Sequence, residues 1–480
     1  MSIAAQVQRP KLIVGLAVDQ MRWDYLYFYY DKYGEGGLKR LLNEGFSCQN
    51  NMINYVPTVT AIGHSSIYTG SVPALTGIAG NNFHIDGKPV YCCDDASVKG
   101  VGSDTKAGKM SPRNMFATTI GDELKLATDF NSKVIGIALK DRASILPAGH
   151  SADAAYWYDS KAGHFITSTY YMDRLPQWVE DFNKKNHTKP GFDIKPTNEG
   201  VTMTFKMAEA ALENEKLGQE GRTDMLCVSV SSTDAIGHAF GTRGKQNYEV
   251  YMQLDRDLAH FLSVLDQKVG KGNYLFFLSA DHGGAHNPNF LKKHKLPSGG
   301  WDTKATMDSL NEHLKSKFGA DLKYVNDIID CRLYLDRNAM EAKGLDYEKV
   351  KAEAVAFLNR DPQFAYVVDF ENVASQTIPE PLRERIVNGY NRLRSGDITV
   401  VLRPDYLNLR FDDNYVGTNH SMWNPYDSHI PLIFMGWNVE HGETSTPTHI
   451  VDIAPTVCAM LHIQMPSACV GNAILPVVEH

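Results

Sequence analysis

The segment KLIVGLAVDQ, residues 11–20, is the clearest indication of the fold class. Its apolar side chains continue almost without interruption up to Asp19. An unbroken apolar run of this kind is typical of a strand buried on both faces, as the strands of a parallel sheet are. The stretch therefore predicts a central parallel strand with a carboxylate at its carboxyl end.

Similar apolar runs recur along the chain and alternate with helical patterns. Strands are predicted within 133–144, 224–238, 273–284 and 428–436, and helices within 35–46, 247–270 and 452–463, the last with Asp452 as N-cap. This alternation predicts an α/β fold with a mostly parallel central sheet flanked by helices. Short strands and helices between 285 and 415 predict a smaller α+β cap segment, inserted into a core of residues 9–284 and 416–476.

Composition and charge narrow the class of partner. The chain has 480 residues and a net charge of −8, which argues against a nucleic-acid partner but allows a small anionic substrate. No apolar run reaches the roughly 18 to 20 residues that a membrane span needs. We expect a monomer.

The amino terminus and the cysteines bear on the cellular compartment. SIAAQ, residues 2–6, resembles the small-residue end of a signal peptide, although an ordinary frayed terminus explains it equally well. We therefore expect a periplasmic or secreted protein, with a cytoplasmic one left open. The seven cysteines form no CxxC motif, and one or two disulfides are expected if the protein is exported.

Polar residues follow four of the predicted strands. They are Asp19, the pair Lys140 and Arg142, Asp234, and the pair Asp281 and His282. Ligands of open parallel sheets bind beyond the carboxyl ends of the strands, so these residues are expected to share one site.

Carboxylates and histidines in this set are suited to metal ions. Asp234 and His238 are four residues apart and share one face of a helix or tight loop, and His420 lies in the polar loop VGTNHS. Imidazole and carboxylate ligands suit zinc, with manganese as a lesser alternative. A lone histidine is more often a surface or capping residue. Six ligands exceed the needs of one catalytic zinc, so two Zn²⁺ ions are expected.

Hydroxyl groups precede the predicted short helix TAIGHSSIYTG, residues 60–70. Thr58 and Thr60 both lie near its start, where a threonine is usually an N-cap. The same position favours an anion, and metal coordination would turn a hydroxyl into a nucleophile. Lys140 and Arg142, two apart at a strand end, are expected to project to one side and to hold phosphoryl oxygens together with Asn81.

Taken in order, these residues resemble the alkaline phosphatase superfamily, from VDQMRWDY to DIAPTVCAMLHI. The chain is most similar to the bacterial two-zinc alkaline phosphatases with a threonine nucleophile and a Lys-x-Arg pair, which are related to the nucleotide pyrophosphatase/phosphodiesterases. The resemblance implies that one zinc is bound by Asp234, His238 and His420, and the other by Asp19, Asp281, His282 and the nucleophile oxygen. It also selects Thr60 over Thr58 and Asn81 over Asn82. Because six protein ligands already fill two zinc sites, His286, His294 and His429 are not expected to bind metal, and His64, Ser65 and Ser66 are interpreted as helix residues without a catalytic role.

The implied activity is that of a phosphomonoesterase that releases inorganic phosphate from small monoesters through a phosphothreonine intermediate. A monoester dianion exposes charge that Lys140 and Arg142 would pair with, whereas a diester needs an apolar pocket there. The alternatives are a phosphodiesterase or nucleotide pyrophosphatase, or a phosphonate hydrolase, on the same scaffold. A sulfatase is disfavoured because no Cys/Ser-x-Pro-x-Arg segment occurs. A non-catalytic metal-binding protein would leave Thr60 and Asn81 without a task.

Overall fold

The apolar run at residues 11–20 forms a strand, Leu12–Val18, with every residue buried. It lies at the centre of a ten-stranded sheet in the computed structural model, which describes residues 7–479. The expected signal-peptide remnant at residues 2–6 lies outside the described residues. Among those described, no helix is both long enough and apolar enough to cross a membrane.

Strands and helices alternate along the chain. The strands are β1 Leu12–Val18, β2 Phe46–Cys48, β3 Asn51–Met52, β4 Asn82–Ile85, β5 Lys88–Tyr91, β6 Gly100–Val101, β7 Val134–Ala138, β8 Ala154–Asp159, β9 His164–Ser168, β10 Asp224–Val230, β11 Tyr274–Ser279, β12 Gly299–Gly300, β13 Val325–Ile329, β14 Arg332–Leu335, β15 Phe364–Asp369, β16 Ile398–Leu402, β17 Tyr406–Leu407, β18 Leu432–Gly436, β19 Gly442–Thr444 and β20 Thr448–His449. The α-helices are α1 Tyr25–Phe28, α2 Leu38–Glu44, α3 Thr60–Thr69, α4 Pro73–Thr76, α5 Ile120–Ala127, α6 Asp141–Ala148, α7 Gln177–Lys185, α8 Asn198–Asn214, α9 Ser232–Phe240, α10 Lys245–Leu265, α11 Pro288–Lys293, α12 Thr303–Phe318, α13 Arg337–Ala342, α14 Tyr347–Leu358, α15 Glu380–Gly389, α16 Pro425–Ser428, α17 Ile453–Leu461 and α18 Leu475–Val478.

The central sheet has the order β19-β2-β18-β11-β1-β10-β7-β8-β9-β6. Its middle strands, from β11 to β8, run parallel, and β18 and β9 join them antiparallel on either side. The predicted fold, a mostly parallel sheet with flanking helices, is confirmed. Because β1, β7, β10 and β11 are parallel neighbours, the residues that follow them meet at one edge of the sheet.

Helix α3 carries the predicted nucleophile and lies directly against the end of β11. All its residues are buried, and Gly70 ends it in the left-handed conformation, with φ +62°. A Cβ on Gly63 would lie 2.2 Å from the carbonyl oxygen of Asp281, so only glycine allows this approach. The helix is thereby fixed against a predicted metal ligand.

A second, antiparallel sheet with the order β13-β14-β16-β15 lies within the segment 285–415 that is predicted to be inserted. Helices α12 and α14 pack against it. Their contact forms a separate apolar cluster that includes Leu314, Leu333, Val350, Leu358 and Val400.

Several predicted elements differ in detail from the structure. The strand predicted within 133–144 ends at Ala138, and helix α6 begins at Asp141. Asp452 precedes α17, but its side chain accepts from His449 N, at 2.7 Å, instead of capping that helix. The expected disulfides are not formed, since all seven cysteines are free thiols.

Candidate active site and metal centre

Three carboxylates and three imidazoles converge at the carboxyl edge of the central sheet. Asp19 follows β1, and Asp281 and His282 follow β11. Asp234 and His238 lie one turn apart on α9, which follows β10. The loop before α16 supplies the sixth side chain, that of His420. The predicted convergence of these residues is therefore present in the fold.

The three histidines are all oriented by backbone carbonyl groups. Nδ1 of His282 donates to Gly283 O at 2.8 Å, Nδ1 of His420 to Thr58 O at 2.7 Å, and Nδ1 of His238 to Thr418 O at 3.0 Å. A carbonyl only accepts, so Nδ1 carries the proton and the neutral ring keeps a lone pair on Nε2. Such bonds fix the tautomer and direction of metal-binding histidines.

The first ligand cluster consists of Asp19, Asp281 and His282. His282 Nε2 lies 3.5 Å from Asp19 Oδ1 and 3.4 Å from Asp281 Oδ2. All three atoms are buried and have no hydrogen-bond partner among the described residues. Buried polar atoms are normally paired, so three orphaned ligand atoms that face one another fit a divalent cation.

The second ligand cluster is centred on Asp234. Its Oδ1 lies 3.1 Å from His238 Nε2 and 3.7 Å from His420 Nε2. Ligand atoms of Asp234, His282 and His420 lie within 4.8 Å of one another, and the last two rings stack at 3.6 Å. His282 thus lies close to both clusters. His238 contacts Asp234 and is more exposed than the other ligand side chains, at 40% of its side-chain surface.

Lys140 provides the positive charge between the clusters. Its Nζ lies 2.6 Å from Asp19 Oδ2 and 2.6 Å from Asp234 Oδ2. Burial alone would raise the pKa of Asp234, but the Lys140 ammonium and His238 outweigh burial and hold that pKa well below its ordinary value. Burial and the neighbouring carboxylates Asp234 and Asp281 raise the pKa of Asp19. Crowded carboxylates of this kind favour cations.

Arg142 occupies a different position from the predicted one. Lys140 is the N-cap of α6 and Arg142 lies in its first turn, so strand alternation does not align the two side chains. Nη1 of Arg142 donates to the Tyr91 hydroxyl at 3.0 Å, and Tyr91 in turn donates to Asp141. The predicted common projection from a strand was wrong because the chain becomes helical at Asp141.

The hydroxyl and amide residues meet at the start of α3. Thr60 is the first residue of the helix, and the preceding Val59 holds the N-cap position. Asn81 Oδ1 accepts from the backbone N–H of Ala61 at 2.9 Å, which brings its amide beside Thr60. The neighbouring Thr58 has a supporting position, since its hydroxyl donates to Met422 O at 2.8 Å and its carbonyl orients His420.

Two buried residues of the site have no signal in the sequence. The ring of His64 joins α3 to β10 and to the end of β11. Its Nδ1 lies 2.9 Å from Thr60 O and 3.3 Å from Asp281 Oδ2, and its Nε2 lies 2.7 Å from Ser229 Oγ. Gln20 lies between Asp234 and Asp281 and contacts both. Their partners are distant in the sequence, so periodicity does not reveal them.

The remaining candidate histidines contact other parts of the protein. Nδ1 of His286 is 2.7 Å from Thr242 Oγ1, and Nε2 of His429 is 3.0 Å from Gln49 O. The ring of His294 packs against Phe290 at 4.6 Å between centroids. None of these contacts involves a member of either ligand cluster.

A fold and site of this kind define a class of phosphoryl-transfer proteins, and the chain belongs to it. Residues 13–422 match the type I phosphodiesterase / nucleotide pyrophosphatase family, of which the chain is a member. The predicted superfamily is therefore confirmed.

Individual relatives match nearly the whole chain. It is 46% identical to alkaline phosphatase PafA of Elizabethkingia meningoseptica, over 98% of this chain and 95% of that protein. It is 48% identical to a protein of Myroides odoratus named calcium-transporting ATPase, over 99% of this chain and 96% of that protein.

Solved structures match as closely. The crystal structure of PafA superposes with a TM-score of 0.94 at 45% identity, over 98% of this chain and 100% of that chain. A PafA variant in which one threonine, one asparagine, one lysine and one arginine are replaced gives the same TM-score of 0.94, over 98% of this chain and 99% of that chain.

Proposed function

We propose that the protein hydrolyses phosphate monoesters to inorganic phosphate, with Thr60 as nucleophile and a covalent phosphothreonine as intermediate. One observation carries the proposal: orphaned buried ligand atoms and the Lys140 ammonium meet beside the amino end of α3. The alkaline phosphatase name of PafA supports it. So does the PafA variant, whose replaced residue types are those of the set Thr60, Asn81, Lys140 and Arg142.

The ligand clusters would hold two divalent cations. Asp19, Asp281, His282 and the Thr60 oxygen would bind one, and Asp234, His238 and His420 the other. Mixed imidazole and carboxylate donors suit zinc, with manganese second. When bound, such ions supply Lewis-acid charge that lowers the pKa of coordinated oxygen groups and neutralises a phosphoryl group.

The chain's own residues position the phosphoryl group and accept it. Thr60 Oγ loses its proton to solvent and attacks phosphorus in line, the bond to the leaving oxygen breaks, and that oxygen takes up a proton from solvent to leave as an alcohol. The Asn81 amide and the two cations Lys140 and Arg142 hold the outer oxygens, where charge develops. Water then attacks the phosphothreonine from the side that the leaving group has vacated. Phosphate departs and the Thr60 hydroxyl is restored.

Charge at the site favours a monoester over a diester. A monoester dianion has more charged oxygens than a diester, and the Lys140 ammonium and the Arg142 guanidinium would pair with that charge. The alternative is a phosphodiesterase, nucleotide pyrophosphatase or phosphonate hydrolase on this scaffold, which the family description includes in part. A non-catalytic metal-binding protein would leave the Thr60 and Asn81 arrangement unused.

The ATPase name of the Myroides odoratus relative is compatible with the same chemistry. ATP hydrolysis also transfers a terminal phosphoryl group to water, and Lys140, Arg142 and the divalent cations would bind that group. ATP therefore belongs among the substrates to be tested, beside simple monoesters.

Replacing the cationic side chains Lys140 and Arg142 tests whether the substrate is a monoester or a diester. We expect the double variant Lys140→Ala/Arg142→Ala to lose monoester kcat/KM at least about 100-fold, because charge stabilisation of the transferred group is lost. Its loss toward a diester such as bis-p-nitrophenyl phosphate should be at least tenfold smaller. Lys161→Ala/Lys195→Ala serves as a surface control. Equal losses toward both substrates would overturn the assignment to monoesters.

The inserted segment is proposed to cap the site. A Cβ on Gly80, which precedes Asn81, would lie 2.9 Å from Arg332 Nη2 and 3.2 Å from Asp330 Oδ2, both on the β13–β14 hairpin. This contact supports a cap of residues 285–415 that closes over the phosphoryl-binding side. Location in the periplasm or outside the cell, and a monomeric state, stay predictions.

A further inference from the structure

Gln20 donates hydrogen bonds to both ligand clusters. Its Nε2 donates to Asp234 Oδ1 at 2.6 Å, and its backbone N–H donates to Asp281 Oδ1 at 3.2 Å. Asp234 belongs to one cluster and Asp281 to the other. One residue thus holds a carboxylate of each cluster, and it does so from the turn that directly follows Asp19.

The backbone of Gln20 is held in an unfavourable conformation. Its φ is +64°, in the left-handed region that side-chain-bearing residues seldom adopt, and only 4% of its surface is exposed. Such conformations cost about 1 kcal/mol or more and persist where the surroundings enforce them, often at functional sites. Here the conformation turns the N–H toward Asp281 while the side chain extends toward Asp234.

Two glycines make room for the Gln20 side chain. A Cβ on Gly237 would lie 1.9 Å from Gln20 Oε1, and a Cβ on Gly284 would lie 3.0 Å from Gln20 Cγ. Gly237 lies inside α9, between Asp234 and His238, where a glycine weakens the helix by about 1 kcal/mol relative to alanine. Helix α9, which carries Asp234 and His238, therefore has a helix-destabilising glycine at the position where the Gln20 amide packs against it.

The hydrogen bonds of Gln20 fix the orientation of the Asp281 and Asp234 carboxylates. Oδ1 of Asp281 accepts from the N–H groups of Gln20 and His282, which leaves Oδ2 facing His282 Nε2 at 3.4 Å and His64 Nδ1 at 3.3 Å. In Asp234 the amide fixes Oδ1 where it faces His238 and His420, while Lys140 holds Oδ2. Each carboxylate is oriented before any ion arrives.

We propose that Gln20 is a positioning residue that orients the ligand carboxylates of both clusters, with its side-chain amide serving Asp234 and its backbone N–H serving Asp281. The inference rests on the two-metal site proposed above. Because a side-chain substitution leaves the backbone N–H in place, the two contributions are separable. Loss of the amide should weaken ion binding at the Asp234 cluster and spare the Asp19, Asp281 and His282 cluster.

The test is a zinc titration of the purified full chain in zinc-buffered solutions, with bound zinc measured by mass spectrometry. The variant Gln20→Met keeps the length of the side chain and removes the amide. We expect the free zinc needed to fill one of the two sites to rise about 10- to 100-fold, as for other groups that orient metal ligands, and the other site to stay within about threefold of the parent protein.

Two further variants separate positioning from general stability. Gln20→Gly also lacks the amide, but glycine tolerates the positive φ, so it serves if Gln20→Met does not fold. Gln253→Met removes a matched amide-to-carboxylate bond, from Gln253 Nε2 to Asp257 Oδ1 at 2.9 Å, on helix α10 away from the site. It should leave both zinc affinities unchanged. The zinc-dependent rise in Tm should shrink for both Gln20 variants and not for Gln253→Met.

Failure of this inference differs from failure of the proposed function. If the parent protein binds two zinc ions and hydrolyses monoesters, while the Gln20 variants bind both ions with unchanged affinity, Gln20 has no positioning role. If the parent protein itself binds no zinc or manganese and shows no phosphatase activity, both the proposed function and this inference are overturned.

Discussion

At the scale of the residue, two neighbouring threonines have distinct positions. Thr60 begins α3 beside the Asn81 amide, whereas the Thr58 hydroxyl is engaged with the Met422 carbonyl. The sequence alone left both open as caps or nucleophiles, and the resemblance to two-zinc alkaline phosphatases selected Thr60. The positions of the two hydroxyl groups support the same choice.

Replacing each threonine by alanine tests this distinction. Thr60→Ala removes the proposed nucleophile, so we expect kcat to fall on the order of 1000-fold or more. Thr58→Ala keeps the carbonyl that orients His420 and should cost activity less than about tenfold, with about 1 to 2 kcal/mol lost from the free energy of unfolding because Met422 O loses its donor. Steady-state kinetics and denaturant unfolding measure the two effects. Comparable activity losses in both variants would contradict the role of Thr60.

His286 gives a residue-scale prediction about acid stability. Burial, together with the nearby Arg22 and Arg243, lowers the pKa of His286 to about 4. The unfolded chain takes up this proton near pH 6.5 and the folded chain does not, so the stabilisation is present above about pH 6.5 and is lost as pH falls toward 4.

The variant His286→Gln should therefore lose less stability than the parent protein between pH 7 and pH 5. After allowance for solvent screening, the difference should be on the order of 1 kcal/mol. Urea unfolding of the metal-free proteins at the two pH values measures it. A parallel decline of both proteins would show that folding does not lower the pKa of His286.

At the scale of the element, close packing of α3 on the end of β11 is central to the site. Gly63 makes this packing possible, and a side chain there would press on the backbone of Asp281. The sequence predicted the helix and its end at Gly70, but it did not identify Gly63 as the contact, because that depends on which strand lies opposite.

The variant Gly63→Ala is expected to separate α3 from Asp281. Overpacking of this kind costs about 1 to 3 kcal/mol in the free energy of unfolding, and the shift of Asp281 should also weaken zinc binding. Gly34→Ala is the control, since its Cβ would lie 3.5 Å from the nearest atom, an ordinary contact. Thermal unfolding and zinc content provide the readouts. Unchanged zinc content in a folded Gly63→Ala protein would show that the packing does not position Asp281.

At the scale of the whole molecule, the sequence predicted the parallel sheet and the residues that meet at its carboxyl edge, but not the hydrogen bonds that join those residues. Apolar runs that end in Asp19, Asp234 or Asp281 identify strands and the residues at their carboxyl ends, since parallel neighbours end at one edge. The amide of Gln20 contacts Asp234 across 214 positions of sequence, and no local pattern encodes such a contact. The direction of Arg142 was predicted wrongly because the strand ends at Ala138 and the chain is helical from Asp141, so strand alternation does not apply.

We propose that two divalent cations enable monoester hydrolysis, one held by Asp19, Asp281 and His282 and the other by Asp234, His238 and His420. The most direct test follows p-nitrophenyl phosphate hydrolysis and metal content together, before chelation, after chelation, and after return of zinc, manganese or magnesium. We predict that activity disappears with the metal and returns with zinc at two ions per chain. Activity that survives complete removal of metal would contradict the account.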